Sequence, residues 1–142
     1  SIPLTDMPDI RDIANIPGMT SGKKHILVID DDARMLKVIK LHLHEKYDVA
    51  TAISGKIALK FLETKHTDLI LLDYAMPDEN GLVVLEKLRA NPSTKNIPVI
   101  FLTGITDRKK IQEALVMKPQ GYLLKPINRK RLLAAIQNIL EA

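Results

Sequence analysis

The sequence predicts an α/β fold, a doubly wound five-stranded parallel sheet with helices on both faces. Three observations lead there. Short apolar runs such as Ile26-Leu27-Val28-Ile29 and Leu69-Ile70-Leu71-Leu72 lack the polar alternation of a half-exposed strand, so they read as strands buried on both faces. Between such runs lie stretches whose apolar residues recur at helical spacing. Five strands alternate with five helices in this way, and parallel strands need crossover helices to join them.

Residues 1–22 stand apart: Pro3, Pro8 and Pro17 interrupt them, Gly18 and Gly22 punctuate them, and their apolar residues are scattered. They are expected to form an arm, a linker from a removed upstream domain, or in part a remnant of cloning, with one short helix over 9–16. The regular pattern runs over 23–142. Lys24 to Ile29 is the first strand, stopped by Asp30-Asp31-Asp32. Ala33 to Lys46 is helical, with an apolar stripe of Leu36, Val38, Ile39, Leu41 and Leu43. Tyr47 to Ile53 alternates enough to lie nearer a sheet edge. Ser54 caps a helix carrying Ile57, Ala58, Phe61 and Leu62. The strand ending at Asp73 comes next, then a loop to Gly81 and a helix through Leu82, Leu85 and Leu88 that ends near Asn91-Pro92. Ile97 to Gly104 is the fourth strand. Thr106 or Asp107 caps the fourth helix, through Ile111, Ala114 and Leu115. Gly121 to Pro126 is the fifth strand, and Asn128 caps the last helix, to Leu140.

Composition narrows the function classes. At 142 residues the chain accommodates one domain with a sizeable core, and 46% hydrophobic with 27% charged residues is an ordinary globular balance. No apolar run approaches the ~20 residues of a membrane span, and no signal-peptide pattern opens the chain. The cytoplasm is the expected compartment. Without cysteine there is no disulfide, thiolate nucleophile or Cys-based zinc site. A net charge of +4 invites a nucleic-acid reading, but aromatics are only 4% and no recognition helix or stacking platform remains, so direct nucleic-acid binding is not expected.

Polar groups stand at the carboxyl ends of the strands: Asp30 and Asp31 after strand one, Asp73 after three, Thr103 after four and Lys125 after five. With the strands in the order 2-1-3-4-5, strands one and three are neighbours at the switch point, so these groups converge in the crevice where open α/β sheets bind ligands. Three carboxylates there repel unless a divalent cation joins them, and an oxygen-rich site suits Mg²⁺, with Mn²⁺ as a substitute. A hydroxyl and an ammonium are what the remaining oxygens of a phosphoryl group require. Asp73 then attacks in line and becomes an aspartyl phosphate.

On these residues the chain resembles the receiver domain of two-component response regulators. The resemblance rests on the Asp pair after strand one, on Asp73 followed by Met76-Pro77 and Gly81, on Thr103-Gly104, and on Gly121-Tyr122-Leu123-Leu124-Lys125-Pro126. Spacings agree as well: 30 residues from Asp73 to Thr103, 52 from Asp73 to Lys125 and 19 from Thr103 to Tyr122. The resemblance implies a flavodoxin-like (βα)5 fold. It implies that Asp73 accepts a phosphoryl group from a phosphohistidine of a sensor histidine kinase or phosphotransfer protein. Asp31, Asp73 and the Ala75 backbone carbonyl would bind Mg²⁺ directly and Asp30 through water. Thr103 would hydrogen-bond the phosphoryl group and Lys125 pair with it, the Lys125–Pro126 bond being cis. Tyr122 would turn inward with Thr103, changing the surface of the fourth helix, fifth strand and fifth helix for an effector or a homodimer partner. Such a domain catalyses its own phosphorylation and autodephosphorylation rather than independent turnover. Ala75 and Ile105 cannot orient a water, while Gly104 leaves the phosphoryl group open; a phosphate lifetime of minutes or longer is expected.

Other readings fit less well. A haloacid-dehalogenase-type phosphatase wants a second Asp where Ala75 stands. A dinucleotide binder wants glycine amides after strand one, where this chain has three carboxylates. A degenerate receiver, acting as a phosphorylation-independent interaction module, is the remaining alternative. The four histidines, His25, His42, His44 and His66, share no metal-ligand spacing and read as surface residues. Arg108-Lys109-Lys110 and Arg129-Lys130-Arg131 open helices, against the macrodipole, and read as solvated faces or a partner-docking surface. With the receiver consuming most of the chain, output is expected through a separate partner or through further domains of a longer regulator or hybrid kinase.

Overall fold

Apolar runs long enough to cross a sheet once, separated by helices long enough to return, leave the chain few arrangements. The computed structural model describes residues 22–77, 79–104, 112, 115–116 and 118–141. In chain order the elements are β1 (Lys24–Ile29), α1 (Ala33–Leu43), β2 (Tyr47–Ala52), α2 (Gly55–Leu62), β3 (Leu69–Asp73), α3 (Gly81–Ala90), β4 (Val99–Thr103), β5 (Gly121–Leu124) and α4 (Arg129–Leu140). The strands form one sheet in the order β2-β1-β3-β4-β5, with every neighbouring pair parallel. β3 and β4 are buried at every position, and β2, as its alternation predicts, is an edge strand.

Successive side chains of a strand point to opposite faces, so β1 feeds two separate core layers. Leu27 and Ile29 pack in a layer with Ala58 and Leu62 of α2 and Val84, Leu85 and Leu88 of α3. Ile26 and Val28 pack in the opposite layer with Leu36, Ile39 and Leu43 of α1 and Leu132 and Ile136 of α4. Each such Leu or Ile contributes about 1.5–3 kcal/mol by leaving water. The helix starts are capped by side chains the sequence supplies: Asp32, Ser54, Asn80 and Asn128 each accept a backbone N–H two or three residues on.

The structure corrects several expectations. α1 stops at Leu43 rather than Lys46: the His44 amide makes the last helical bond, to the Lys40 carbonyl, and the Lys46 amide then closes a turn onto Leu43. Val38 and Leu41 are exposed, since only Leu36, Ile39 and Leu43 recur at the spacing that keeps one face against the sheet. Ile57 is exposed for the same reason, beside buried Ala58. β2 ends at Ala52, one residue short of Ile53. β4 starts at Val99 and ends at Thr103, and β5 ends at Leu124. Neither Pro98 nor Pro126 has an N–H for the ladder. Among the described residues there are four helices. The helix expected between β4 and β5 lies mostly outside them: Gln112 and Leu115 are helical, whereas its expected caps, Ile111 and Ala114 fall outside. The cluster Arg108 to Lys110, Ile105 and the segment before Gly22 are likewise outside the described residues. No helix among the described residues is long and apolar enough to cross a membrane.

Candidate functional site

Each candidate side chain is held by the end of a strand. Past β1, the Asp30 amide continues the ladder by donating to the Ala52 carbonyl at 3.1 Å. Asp30 is buried, and its Oδ1 accepts the Asp32 amide at 2.9 Å. Asp32 turns the chain into α1 by accepting the Arg34 amide at 2.9 Å, so its carboxylate serves as the cap, while Asp31 between them is exposed. Asp73 is the last residue of β3 and is 3% exposed. Behind it the Gly81 amide donates to the Tyr74 carbonyl at 2.7 Å, drawing the start of α3 onto the strand end. A Cβ on Gly81 would lie 2.7 Å from the Asp73 carbonyl oxygen and 2.9 Å from Tyr74 Cα. Only glycine permits that approach.

Thr103 ends β4 and is buried, its hydroxyl donating to the Gly104 carbonyl at 3.3 Å. The Lys125 amide donates to the Thr103 carbonyl at 2.7 Å, which carries the ladder past β5 and aims the lysine across the sheet. Its Nζ reaches Asp73 Oδ1 at 2.9 Å and Asp30 Oδ2 at 3.4 Å. The Lys125–Pro126 peptide bond is cis. Carboxylate oxygens of Asp30, Asp31 and Asp73 all lie within 4.8 Å of one another.

This crowding sets the electrostatics. Burial, reinforced by Asp30 and Asp31, pushes the Asp73 carboxyl up to about 6 against the pull of Lys125. Burial also raises Asp30, opposed by the Asp32 amide and Lys125. Lys125 loses hydration too, but two carboxylates hold its ammonium above the ordinary lysine value. One ammonium, bonded to two of the three carboxylates, leaves negative charge uncompensated. The charge left over matches a divalent cation, and a set of hard oxygen donors fits Mg²⁺ or a similar ion.

The remaining predicted residues are placed differently. Ala75 is exposed on the loop after β3. Tyr122 lies in β5 paired with Phe101 of β4 and is 49% exposed, so in this structure it is not part of the core. Arg129, Lys130 and Arg131 form the exposed first turn of α4. One neighbour was missed by sequence reasoning. Glu79 accepts Lys87 Nζ at 2.6 Å, and its Oε1 is buried without a hydrogen-bond partner. With Asp31, Ile53, Ser54, Gly55, Lys56, Met76 and Pro77 it lines a cleft of about 310 Å³. A lone glutamate in a loop carries no pattern that reveals such a position.

Known proteins resemble this chain in sequence and fold. The family model for the response regulator receiver domain matches residues 26–137. A probable cyclic di-GMP phosphodiesterase of Vibrio cholerae is 36% identical over 103 residues, covering 72% of this chain and 23% of that protein. Histidine kinase P4 of Formosa agariphila is 32% identical over 142 residues, covering 99% of this chain and 10% of the kinase. The chain thus spans a quarter or less of the length of these relatives. Among solved structures, the chemotaxis protein CheY4 of Vibrio cholerae superposes with a TM-score of 0.78 at 29% identity, covering 83% of this chain and 99% of that one. Sheet order, acidic crevice and family match agree, and the chain belongs to the response regulator receiver domain family.

Proposed function

We propose that this receiver domain accepts a phosphoryl group on Asp73 from the phosphohistidine of a sensor histidine kinase or phosphotransfer protein. The observation that carries the reading is Lys125 Nζ 2.9 Å from Asp73 Oδ1, inside a trio of carboxylates within 4.8 Å. Asp30, Asp31, Asp73 and the Ala75 carbonyl would hold Mg²⁺ or Mn²⁺, which when bound neutralises charge on the phosphoryl oxygens. Asp73 contributes an ionised oxygen that forms the new P–O bond as the P–N bond breaks, its electron pair leaving with the imidazole. Lys125, already desolvated, exchanges its contact with Asp73 for a phosphoryl oxygen, and the Thr103 hydroxyl donates to another.

The consequences are local first. Drawing Thr103 toward the phosphoryl group vacates space beside β5, and Tyr122 turns inward from its exposed position, altering the surface of β5 and α4 that an effector or a second copy would meet. Arg129, Lys130 and Arg131 give that surface a basic rim. Ala75 and Ile105 offer no group to orient a water, so the phosphate persists for minutes or longer despite the opening at Gly104. In this reading 23–142 is the receiver unit, 1–22 an arm or linker, and the cytoplasm the compartment.

The test is phosphorylation by acetyl phosphate with and without Mg²⁺, on the intact protein and Asp73→Asn, read by intact mass. A Mg²⁺-dependent gain of one phosphoryl group, absent from the variant, is expected. No gain from acetyl phosphate or from a kinase phosphodonor, in folded protein, would replace this reading with a phosphorylation-independent interaction module.

A further inference from the structure

Glu79 ties together three elements at the carboxyl edge of the sheet. It lies in the loop between β3 and α3, just before the Asn80 cap, yet its Oε2 accepts Lys87 Nζ from well inside α3 at 2.6 Å. Helical side chains lean toward the helix start, so Lys87 reaches back along α3 to the loop. The other oxygen, Oε1, is buried with no hydrogen-bond partner among the described residues. It lies against Gly55, the first residue of α2: a Cβ there would stand 2.6 Å from Glu79 Oε1 and 2.5 Å from Val84 Cγ2 of α3. The side chain that Gly55 lacks leaves the notch in which the carboxylate sits.

An ion pair on an open surface fixes little, because both side chains keep their freedom in water. Here the Glu79 side chain is only 26% exposed. Withdrawing a carboxylate oxygen from water without a hydrogen bond is costly. The Lys87 ammonium offsets part of that cost, and the start of α2 offsets more. The Ser54 side chain caps the Ile57 amide, but the first turn of α2 carries no acidic residue of its own, so an anion from another element is favoured there. The carboxylate is held by α3 at one oxygen and by α2 at the other.

What it holds is the loop that leaves Asp73. The Gly81 amide closes the base of this loop on the Tyr74 carbonyl at 2.7 Å, and Met76 is buried in the core layer of α2 and α3. Met76, Pro77 and Glu79 line one cleft with Asp31. We propose, resting on the metal-assisted reading above, that Glu79 is a positioning residue for the metal site. Clamped between Lys87 and the start of α2, it fixes the loop, and with it the Ala75 carbonyl, relative to Asp31 and Asp73.

The experiment is a Mg²⁺ titration of the full chain followed by amide ¹H–¹⁵N NMR, for the parent, Glu79→Ala, Glu79→Gln and Lys87→Met. Glu79→Ala is expected to weaken Mg²⁺ binding about 3- to 10-fold, no more than the ~10-fold that marks the lower limit for a direct partner of a metal ligand, and to shift the Ala75 and Met76 amide signals before metal is added. Lys87→Met should reproduce both changes from the far end of the pair. Combining it with Glu79→Ala should weaken binding no further, because the two side chains act as one unit. Glu79→Gln keeps the shape and an oxygen for Lys87, so it should recover part of the affinity. With acetyl phosphate, the Mg²⁺ concentration giving half-maximal phosphorylation should rise by the same factor, more than the rate at saturating Mg²⁺ falls. Circular dichroism checks folding. Affinity in folded Glu79→Ala within about 2-fold of the parent, or Lys87→Met without effect on affinity and on the Ala75 signal, would overturn the clamp. No Mg²⁺ binding by the parent would overturn it together with the metal site. A parent that binds Mg²⁺ but takes up no phosphoryl group would remove the phosphoacceptor reading alone, and the Mg²⁺ titration would still decide on Glu79.

Discussion

The two edges of the sheet are built from the same strands, yet they treat charge in opposite ways. At the carboxyl edge, Asp30 and Asp73 are buried, share one ammonium, and are pushed up in pKa, most strongly Asp73, to about 6. At the amino edge, Asp68 has a backbone amide and an imidazole to itself and is held down. One edge concentrates unlike demands on a single lysine and remains electrostatically unfinished without a cation. The other satisfies its carboxylate with local partners. The same residue type is thus disfavoured as a carboxylate in one place and held ionised by local partners in the other, and burial with partner count decides which.

This contrast can be broken or sharpened by measurement. The largest effect is expected from Gly81→Ala: the added methyl meets the Asp73 carbonyl and Tyr74 Cα, so α3 must lift from β3, at a cost of about 2–3 kcal/mol in urea unfolding. A loss below ~0.5 kcal/mol would mean that the strand end is not held as tightly as its contacts imply.

Next, Asp73→Asn should stabilise the metal-free protein by about 1–2 kcal/mol at neutral pH, by relieving a carboxylate that burial disfavours. Between the unfolded value near 4 and the folded value of about 6, the folded state binds more protons than the unfolded one. Stability from this group therefore falls as pH rises through that window, and the variant's advantage should vanish below it. Unfolding curves in chelator at several pH values test both statements.

Asp68→Asn should do the reverse, costing about 1 kcal/mol at neutral pH because the His25 amide and His66 lose a charged acceptor. A lowered folded pKa stabilises above the unfolded value and is lost as pH falls through the folded one, so this difference should close only in acid. If both variants shifted stability with the same sign of pH dependence, the contrast between the edges would fail. The smallest effect belongs to Gly121→Ala at the amino end of β5, where a Cβ meets nothing within 4 Å; a change within ~0.5 kcal/mol is expected.

Much of the fold and of the acidic crevice was legible because both rest on short-range pattern. Uninterrupted apolar runs name buried strands, and a carboxylate directly after such a run must emerge at its carboxyl end, whatever its neighbours are. Hence Asp30, Asp73, Thr103 and Lys125 could be assigned to one crevice before their contacts were known. Exposure was less legible: Val38, Leu41 and Ile57 looked like core because periodicity counts apolar residues without knowing how wide a stripe the sheet covers. Tyr122 belonged to a strand by pattern, but the pattern does not say how exposed its side chain is.

By itself, then, the sequence determined the alternation of strands and helices, the caps at Ser54 and Asn128, and the residues that close the carboxyl edge. Only the tertiary structure decided which distant residues meet. Strand pairing in register put His25 beside Asp48 and brought Asp68 and His66 to it, although nothing in the spacing of the histidines suggested a pair. It also set Glu79 against Gly55 and Lys87, and α3 against the end of β3. The physical reason is one of range. Periodicity and capping act over a turn or a strand, whereas neighbours across a sheet are fixed by pairing order and register, which the whole core selects at once.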